Sequence, residues 1–349
     1  MSEKEKTDIR TLSRDQLSDY FNSIGEPSFR RKQVWKWLWV DHAKSFDDMT
    51  NLSKDLRTQL SEEFVINKAV LEKSQKSQDG TLKSVFRLHD GAMIEAVLIP
   101  VEKSNRFTLC VSCQVGCSLA CSFCATGKMK RVRNLHAGEI LDQFFEVNQQ
   151  SLEEYGHPLT NVVYMGMGEP LLNYREVLSS IDHITMPEGI NMAARRITVS
   201  TAGISKMIKK LADDEVRFNL ALSLHAANDK KRNEIMAINE QNDLSSLMES
   251  LRYFYQKTGT KISYEYIAFQ HFNDHPEDAR ELIELCRDFP VVVNIIEYNP
   301  VEGIDFIKSD EDRLDKFASI LANNGIRVTV RRSRGKDIDA ACGQLANKN

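Results

Sequence analysis

No stretch of this chain is apolar over the roughly eighteen residues that a membrane-crossing helix needs, so no membrane span is expected. A surplus of positive charge is missing as well: 46 Lys and Arg stand against 50 Asp and Glu, a net charge of −4. That balance argues against a protein coated all over in nucleic acid and leaves room for local basic patches. There is no low-complexity segment and no short repeat. The opening residues are charged with no apolar segment after them, so no secretory signal is expected. Tryptophan is scarce, with three in 349 residues, and all three crowd together as Trp35, Trp37 and Trp39. Cysteine is not scarce. Seven of them, an odd number in a long chain, speak against a disulfide framework and for a reducing, cytoplasmic setting and for chemistry. At 42% hydrophobic residues the chain can bury a sizeable core, as one large domain or a main domain with a smaller one.

Residues 1–66 read as a small helical domain. Ser13 is an N-cap, and Leu17, Tyr20 and Phe21 share one face. Gly25-Glu-Pro27 ends that helix, and a second follows in which Trp35 and Trp39 are i, i+4 neighbours. Its aromatics suit a core; its basic edge, Arg30, Arg31, Lys32 and Lys36, suits either solvent or phosphates. Residues 67–105 form a short β extension, with strands at 83–88 and 93–99 around the turn Asp90-Gly91. Glu95 is the odd acid in the second of these. From residue 106 to 349, strands near 107–113, 161–165, 196–200, 217–224, 262–267, 291–298 and 326–330 alternate with helices. The fold class is therefore α/β, with parallel strands and helices outside. A rolled or closed barrel working at the C-terminal ends of its strands fits, and so does an open doubly wound sheet.

The chemistry gathers at Cys117-Ser-Leu-Ala-Cys121-Ser-Phe-Cys124. Three cysteines in CxxxCxxC spacing fit one short loop, and three thiolates on a four-iron cubane leave one iron open for a small molecule. Cys110 with Cys113 and Cys121 with Cys124 also pair as two halves of a zinc site, although the gap between them is short. On the layout above, further polar groups fall at strand ends: Gly166-Met-Gly168-Glu169-Pro170, Ser200, Ser223-Leu224-His225 and Asn299. Each alone is weak, since such glycines make turns and such hydroxyls finish strands. Together on one rim they suggest a binding site.

The cysteine loop, with Phe123 before its last cysteine, resembles the radical S-adenosylmethionine (SAM) superfamily. Cys110-Val-Ser-Cys-Gln-Val-Gly-Cys117, Gly166-Met-Gly-Glu-Pro170, Ser223-Leu-His225 and Asp339-Ala-Ala-Cys342-Gly-Gln-Leu together resemble the RlmN-type RNA methyltransferases over nearly the whole chain. The resemblance implies a partial (β/α) barrel. It implies a 4Fe–4S cluster on Cys117, Cys121 and Cys124, and two SAM molecules per turnover bound by Gly168, Glu169, Ser200, Ser223, Leu224, His225 and Asn299. It implies methylation of C2 of an adenosine in 23S rRNA and of adenosine 37 in certain tRNAs. Cys342 would carry the methyl group, Cys110 would resolve the RNA adduct by forming a disulfide, and Glu95 would accept the C2 proton. An external electron donor and a thiol reductant would serve the reaction. Cys113 departs from the pattern, where many relatives carry serine. The alternatives are methylation at C8 of the same rRNA adenosine and, in another class, a zinc-stabilised RNA-binding module. Basic runs flank the reactive cysteines: Lys128, Lys130, Arg131 and Arg133 on one side, and Arg327, Arg331, Arg332, Arg334 and Lys336 on the other. Both are expected to guide phosphates.

Overall fold

The computed structural model describes residues 6–346; residues 1–5, part of the charged opening, and the last three lie outside the described residues. Three helices come first, α1 (Arg14–Ser23), α2 (Ser28–Trp39) and α3 (Lys54–Glu63). Ser13 caps α1 as its sequence promises. The Gln16 N–H donates to the Ser13 hydroxyl at 3.1 Å, and the Ser13 N–H donates to the Gln16 side chain at 2.8 Å. The tryptophans serve packing: Trp39 is buried and stacks on His183 at 3.9 Å. Most of the basic edge is already engaged, Arg30 with Asn51 O, Arg31 with Ser18 and Lys36 with Asp41.

A second contact ties this domain to the rest. Buried Arg10 donates to Asp142 at 2.9 and 3.1 Å, and Asp142 also meets His42 at 2.9 Å and Lys68 at 3.1 Å. Burial alone would raise the Asp142 carboxyl; the three bases override it and hold it well below the usual range.

The remaining chain builds one ten-stranded sheet: β1 (Val70–Lys76), β2 (Leu82–Arg87), β3 (Met93–Val101), β4 (Arg106–Cys110), β5 (Asn161–Tyr164), β6 (Ile197–Thr201), β7 (Asn219–Ser223), β8 (Ile262–Ala268), β9 (Val291–Glu297) and β10 (Arg327–Arg331). The strands follow one another across the sheet in chain order. β1 to β4 pair antiparallel and β4 to β10 parallel. The order never reverses, so there is no switch point, and β1 and β10 remain as edges. This is a rolled, unclosed barrel with an antiparallel extension. The longer helices are α4 (Ala137–Tyr155), α5 (Tyr174–Thr185), α6 (Ser205–Asp213), α7 (Asp229–Ile235), α8 (Leu244–Thr258), α9 (Pro276–Leu285) and α10 (Glu311–Asn323), and a single helical turn spans Ala125–Lys128.

Strand alternation then decides where space is left. Leu109, Val162, Val199, Leu220, Leu222, Tyr264, Val293 and Ile295 are fully buried in one core with the helices. The opposite parity lines a cavity, with Thr108, Asn161, Thr198, Asn219, Asn294 and Thr329 interleaved with Val163, Val292 and Ile296. A filled barrel packs bulky aliphatics inward in layers; this one mixes polar groups among its inward aliphatics and stays hollow.

Candidate active site

The loop after β4 carries Cys117, Cys121 and Cys124 along one wall of a cavity of about 160 Å³. Its path is set by close backbone approaches. Gly116 takes φ +72°, and a Cβ there would lie 2.4 Å from Lys130 O. The Ser122 N–H donates to Ile235 O at the end of α7, at 3.0 Å. Burial pushes all three thiols up, Cys117 to about 11, and neighbouring cysteines add to the effect at Cys117 and Cys121. Thiols in such a setting release their protons to a metal, not to water.

Among the described residues no three His, Cys, Asp or Glu side chains converge on a single ion. A cubane asks for a different arrangement, separated sulfurs with one iron each. Neither Cys110 nor Cys113 joins the trio at this cavity, so the four-cysteine zinc set does not assemble. The loop fits a three-ligand cluster.

Opposite the cysteines the strand ends converge as expected. Gly168, Glu169, Ser200, Ser223 and His225 line the same cavity. Both glycines answer to packing within the protein: a Cβ on Gly166 would meet Val111 O at 2.7 Å, and one on Gly168 (φ +101°) would meet the Gln114 side chain at 2.5 Å. Glu169 is buried, and its oxygens accept from Leu171 N–H at 3.0 Å and Ala202 N–H at 2.8 Å. Burial raises this carboxyl despite those donors. Ser200 and Ser223 face each other, Oγ to Oγ 3.3 Å. His225 sits at φ +55° with Nδ1 accepting from Ile267 N–H at 3.1 Å. Burial and nearby Arg232 pull it down to about 3. The ring is therefore neutral with its proton on Nε2, which can donate.

Two expected binding residues stand apart. Leu224 buries its side chain in the core, and Asn299 donates to Glu297 O at 3.2 Å and Ser333 Oγ at 2.8 Å; neither lines the cavity.

Cys342 does reach the cysteine loop. The Ala125 N–H donates to Gly343 O at 2.8 Å and the Thr126 hydroxyl to Leu345 O at 2.6 Å, so the C-terminal segment docks on the turn after Cys124. Cys342 is open to the cavity though protein encloses it. That enclosure raises its thiol, Arg331 lowers it and Glu265 raises it. A second, wider cavity of about 730 Å³ shares Cys342 and Cys124 with the first and is also lined by Cys110. Burial chiefly pushes the Cys110 thiol up, and nearby Cys342 adds to the effect. Glu95 lies behind the C-terminal segment, outside both cavities. It is buried, accepts from Ala346 N–H at 3.0 Å and has Lys83 3.6 Å away.

The basic runs divide. Lys128 is held by Gly303 O and Glu302 O, and Arg133 by Glu139 and Asp90, so these two are structural. Arg327, Arg331, Arg332 and Arg334 line the wide cavity; Lys336 instead pairs with buried Glu297 at 2.7 Å. Sequence reasoning missed Arg232. It lies in the charged stretch Asp-Lys-Lys-Arg-Asn-Glu-Ile of α7, which reads as a solvated face, yet it is fully buried. Its guanidinium donates to Leu224 O at 3.1 Å, Ser223 O at 3.3 Å and Ala202 O at 2.5 Å, and to Asn239. It thereby pins the strand ends that form the cavity rim.

Comparison with known proteins agrees with this geometry. Residues 7–66 match the ribosomal RNA large subunit methyltransferase N-terminal domain, and residues 111–286 the radical SAM superfamily. The chain is 54% identical over 347 residues to a "probable dual-specificity RNA methyltransferase RlmN" of Cytophaga hutchinsonii, covering 99% of this chain and 94% of that protein. It is 42% identical to the protein so described from Bacillus subtilis, over 99% and 94% of the two chains. A crystal structure of a radical SAM methyltransferase from Sphaerobacter thermophilus superposes with a TM-score of 0.90 at 38% identity, covering 98% of this chain and 100% of that one. The chain therefore belongs to the RlmN family of radical SAM RNA methyltransferases, and a 4Fe–4S cluster and SAM are its cofactors.

Proposed function

We propose that the protein methylates C2 of an adenosine in 23S rRNA, near the peptidyl-transferase centre, and C2 of adenosine 37 in certain tRNAs. The observation that carries this reading is the placement of Cys342, distant in sequence, on the same cavity as Cys117, Cys121 and Cys124. C2 of adenine is electron-poor, so it does not attack an electrophilic methyl group; a sulfur does so readily. Bound to the three cysteines, the cluster with SAM supplies one-electron chemistry that generates a carbon radical.

Cys342 is the methyl carrier, first accepting the group on Sγ and then presenting its carbon to the base. The base has to be unstacked to reach it. Glu95 accepts the C2 proton, which requires Ala346 to lift from its carboxylate. Cys110 then attacks Cys342 Sγ and forms a disulfide; the bond between Cys342 and the new carbon breaks, its electron pair passes to the base, and that carbon takes up a proton to complete the methyl group. An external electron donor and a thiol reductant follow from that balance, and both belong to a cytoplasmic setting; among the described residues no helix is long and apolar enough to cross a membrane. Gly168, Glu169, Ser200, Ser223 and His225 hold SAM, with Asn299 and Leu224 acting from behind the rim.

Anaerobic reconstitution with SAM and an rRNA fragment, followed by mass analysis of the nucleosides, tests the whole reading. It expects 2-methyladenosine that disappears with Cys342→Ala. Methyl found at C8 would install the sister activity instead, against which Pro170 after Glu169 weighs.

A further inference from the structure

Eight Lys and Arg side chains and no Asp or Glu line the wide cavity, in a chain whose net charge is −4. Four of the eight are engaged. Arg331 faces Glu265 at 3.4 Å, Arg332 faces Asp315 at 3.2 Å, Arg334 donates to Pro100 O at 2.9 Å and Arg196 to Thr160 O at 3.3 Å. The side chains of the other four, Arg106, Arg195, Lys261 and Arg327, are exposed and have no partner among the described residues. Their positions form a pattern. Arg106 and Arg327 open β4 and β10, Lys261 directly precedes β8, and Arg195 stands in the turn before β6. All four mark N-terminal strand ends, at the mouth opposite the cysteine loop. From that mouth the cavity runs inward to Cys110, Cys124 and Cys342.

Like charges gathered without counter-charges repel one another, and a polyanion relieves that repulsion. The volume, about 730 Å³, lies within the range of pockets that admit a group of small-molecule size, such as a nucleoside turned out of its stack. We propose that the RNA strand enters the barrel through its N-terminal mouth, phosphates on Arg106, Arg195, Lys261 and Arg327, and passes the target nucleoside inward to Cys342, while SAM is held at the other end. This rests on the RNA-methylating reading above and adds the direction of entry and the residues that set it.

The test compares two variants of equal charge, both full-length and reconstituted. In one, Arg106, Arg195, Lys261 and Arg327 become glutamine; in the other, exposed Lys54, Lys73, Lys206 and Lys316 on outer surfaces do. Binding of a single-stranded 23S rRNA fragment is followed across a salt series, with SAM affinity as control. Each lost phosphate contact lowers the slope of log K against log salt by roughly 0.7 for a single strand, so the mouth variant should lose up to about 2.8 and the outer variant less than about 0.7. SAM affinity should stay within about twofold of the wild type in both. A photoreactive residue at position 261 should crosslink the RNA, and one at 316 should not. A mouth variant with wild-type slope and affinity, or RNA that crosslinks at 316 in preference to 261, overturns the entry route and leaves the methylation reading standing. A wild-type protein that binds no RNA at any salt takes down both.

Discussion

Replacing Arg232 with methionine keeps the stem of the side chain and removes the guanidinium. Three strand-end carbonyls, Ala202 O, Ser223 O and Leu224 O, then lose their donor, and Asn239 loses one as well. Arg232 itself is fully buried. Each unmet buried acceptor costs about 1–3 kcal/mol; partial relaxation makes about 3–5 kcal/mol a fair total. At about 2–4 °C per kcal/mol, the thermal midpoint should drop by roughly 10 °C. The loss should be local, because the carbonyls belong to the segments that present Ser223 and His225 to the cavity. SAM affinity should therefore weaken about tenfold or more, measured by calorimetry on the reconstituted protein. Lysine at 232 restores a charge but reaches one carbonyl at a time, and should recover less than half of either effect. Arg232→Met melting within 2 °C of wild type with unchanged SAM affinity would refute the pinning role.

Four more outcomes follow from the geometry. Cys110→Ala should accumulate a covalent RNA–protein species on denaturing gels; normal release of methylated RNA would remove Cys110 as the resolving thiol. Glu95→Gln retains an acceptor for Ala346 N–H, so it should melt within about 1 kcal/mol of wild type while product release stalls at the adduct; ordinary turnover would mean that another group takes the proton. His225→Asn tolerates the left-handed backbone and offers an oxygen to Ile267 N–H. Because the folded histidine stays neutral down to about 3, the wild type loses roughly 1.4 kcal/mol of stability per pH unit on acidification below about 6.5, and the asparagine variant should lose less. Asp142→Asn strands Arg10, His42 and Lys68 around a neutral amide and should cost about 3–5 kcal/mol. In the wild type the depressed Asp142 carboxyl contributes stability above about pH 4 that fades as acid approaches its folded value; the variant's urea midpoint should lack that component.

The parallel strands were legible because their apolar runs survive tertiary context, and their observed ends fall within a few residues of expectation; the helices between them follow the expected alternation. β1 was not legible: Val-Leu-Glu-Lys-Ser-Gln-Lys is polar on both faces and largely exposed, so it carries no alternation to read. α7 was missed for its charge, although Asn228 caps it by accepting from Lys231 N–H at 2.9 Å. In the site, cysteine spacing revealed the loop but could not show that Gly343 and Leu345 bond to residues next to it. Glu169 and His225 lie in readable strand-end motifs. Arg106, Arg195 and Lys261 are scattered singly through the sequence, and their common mouth exists only once the sheet has rolled.

β10 leaves one side of its backbone unpaired at the edge of the sheet, the kind of strip on which a second molecule could add a strand. It begins and ends in arginine, with Arg327 and Arg331 both exposed. A copy approaching edge to edge would bring these charges against their counterparts, so Arg327, which greets a polyanion, also discourages self-association together with Arg331. Removing them should make the protein stickier toward itself as well as blinder to RNA, which light scattering in the absence of nucleic acid would register.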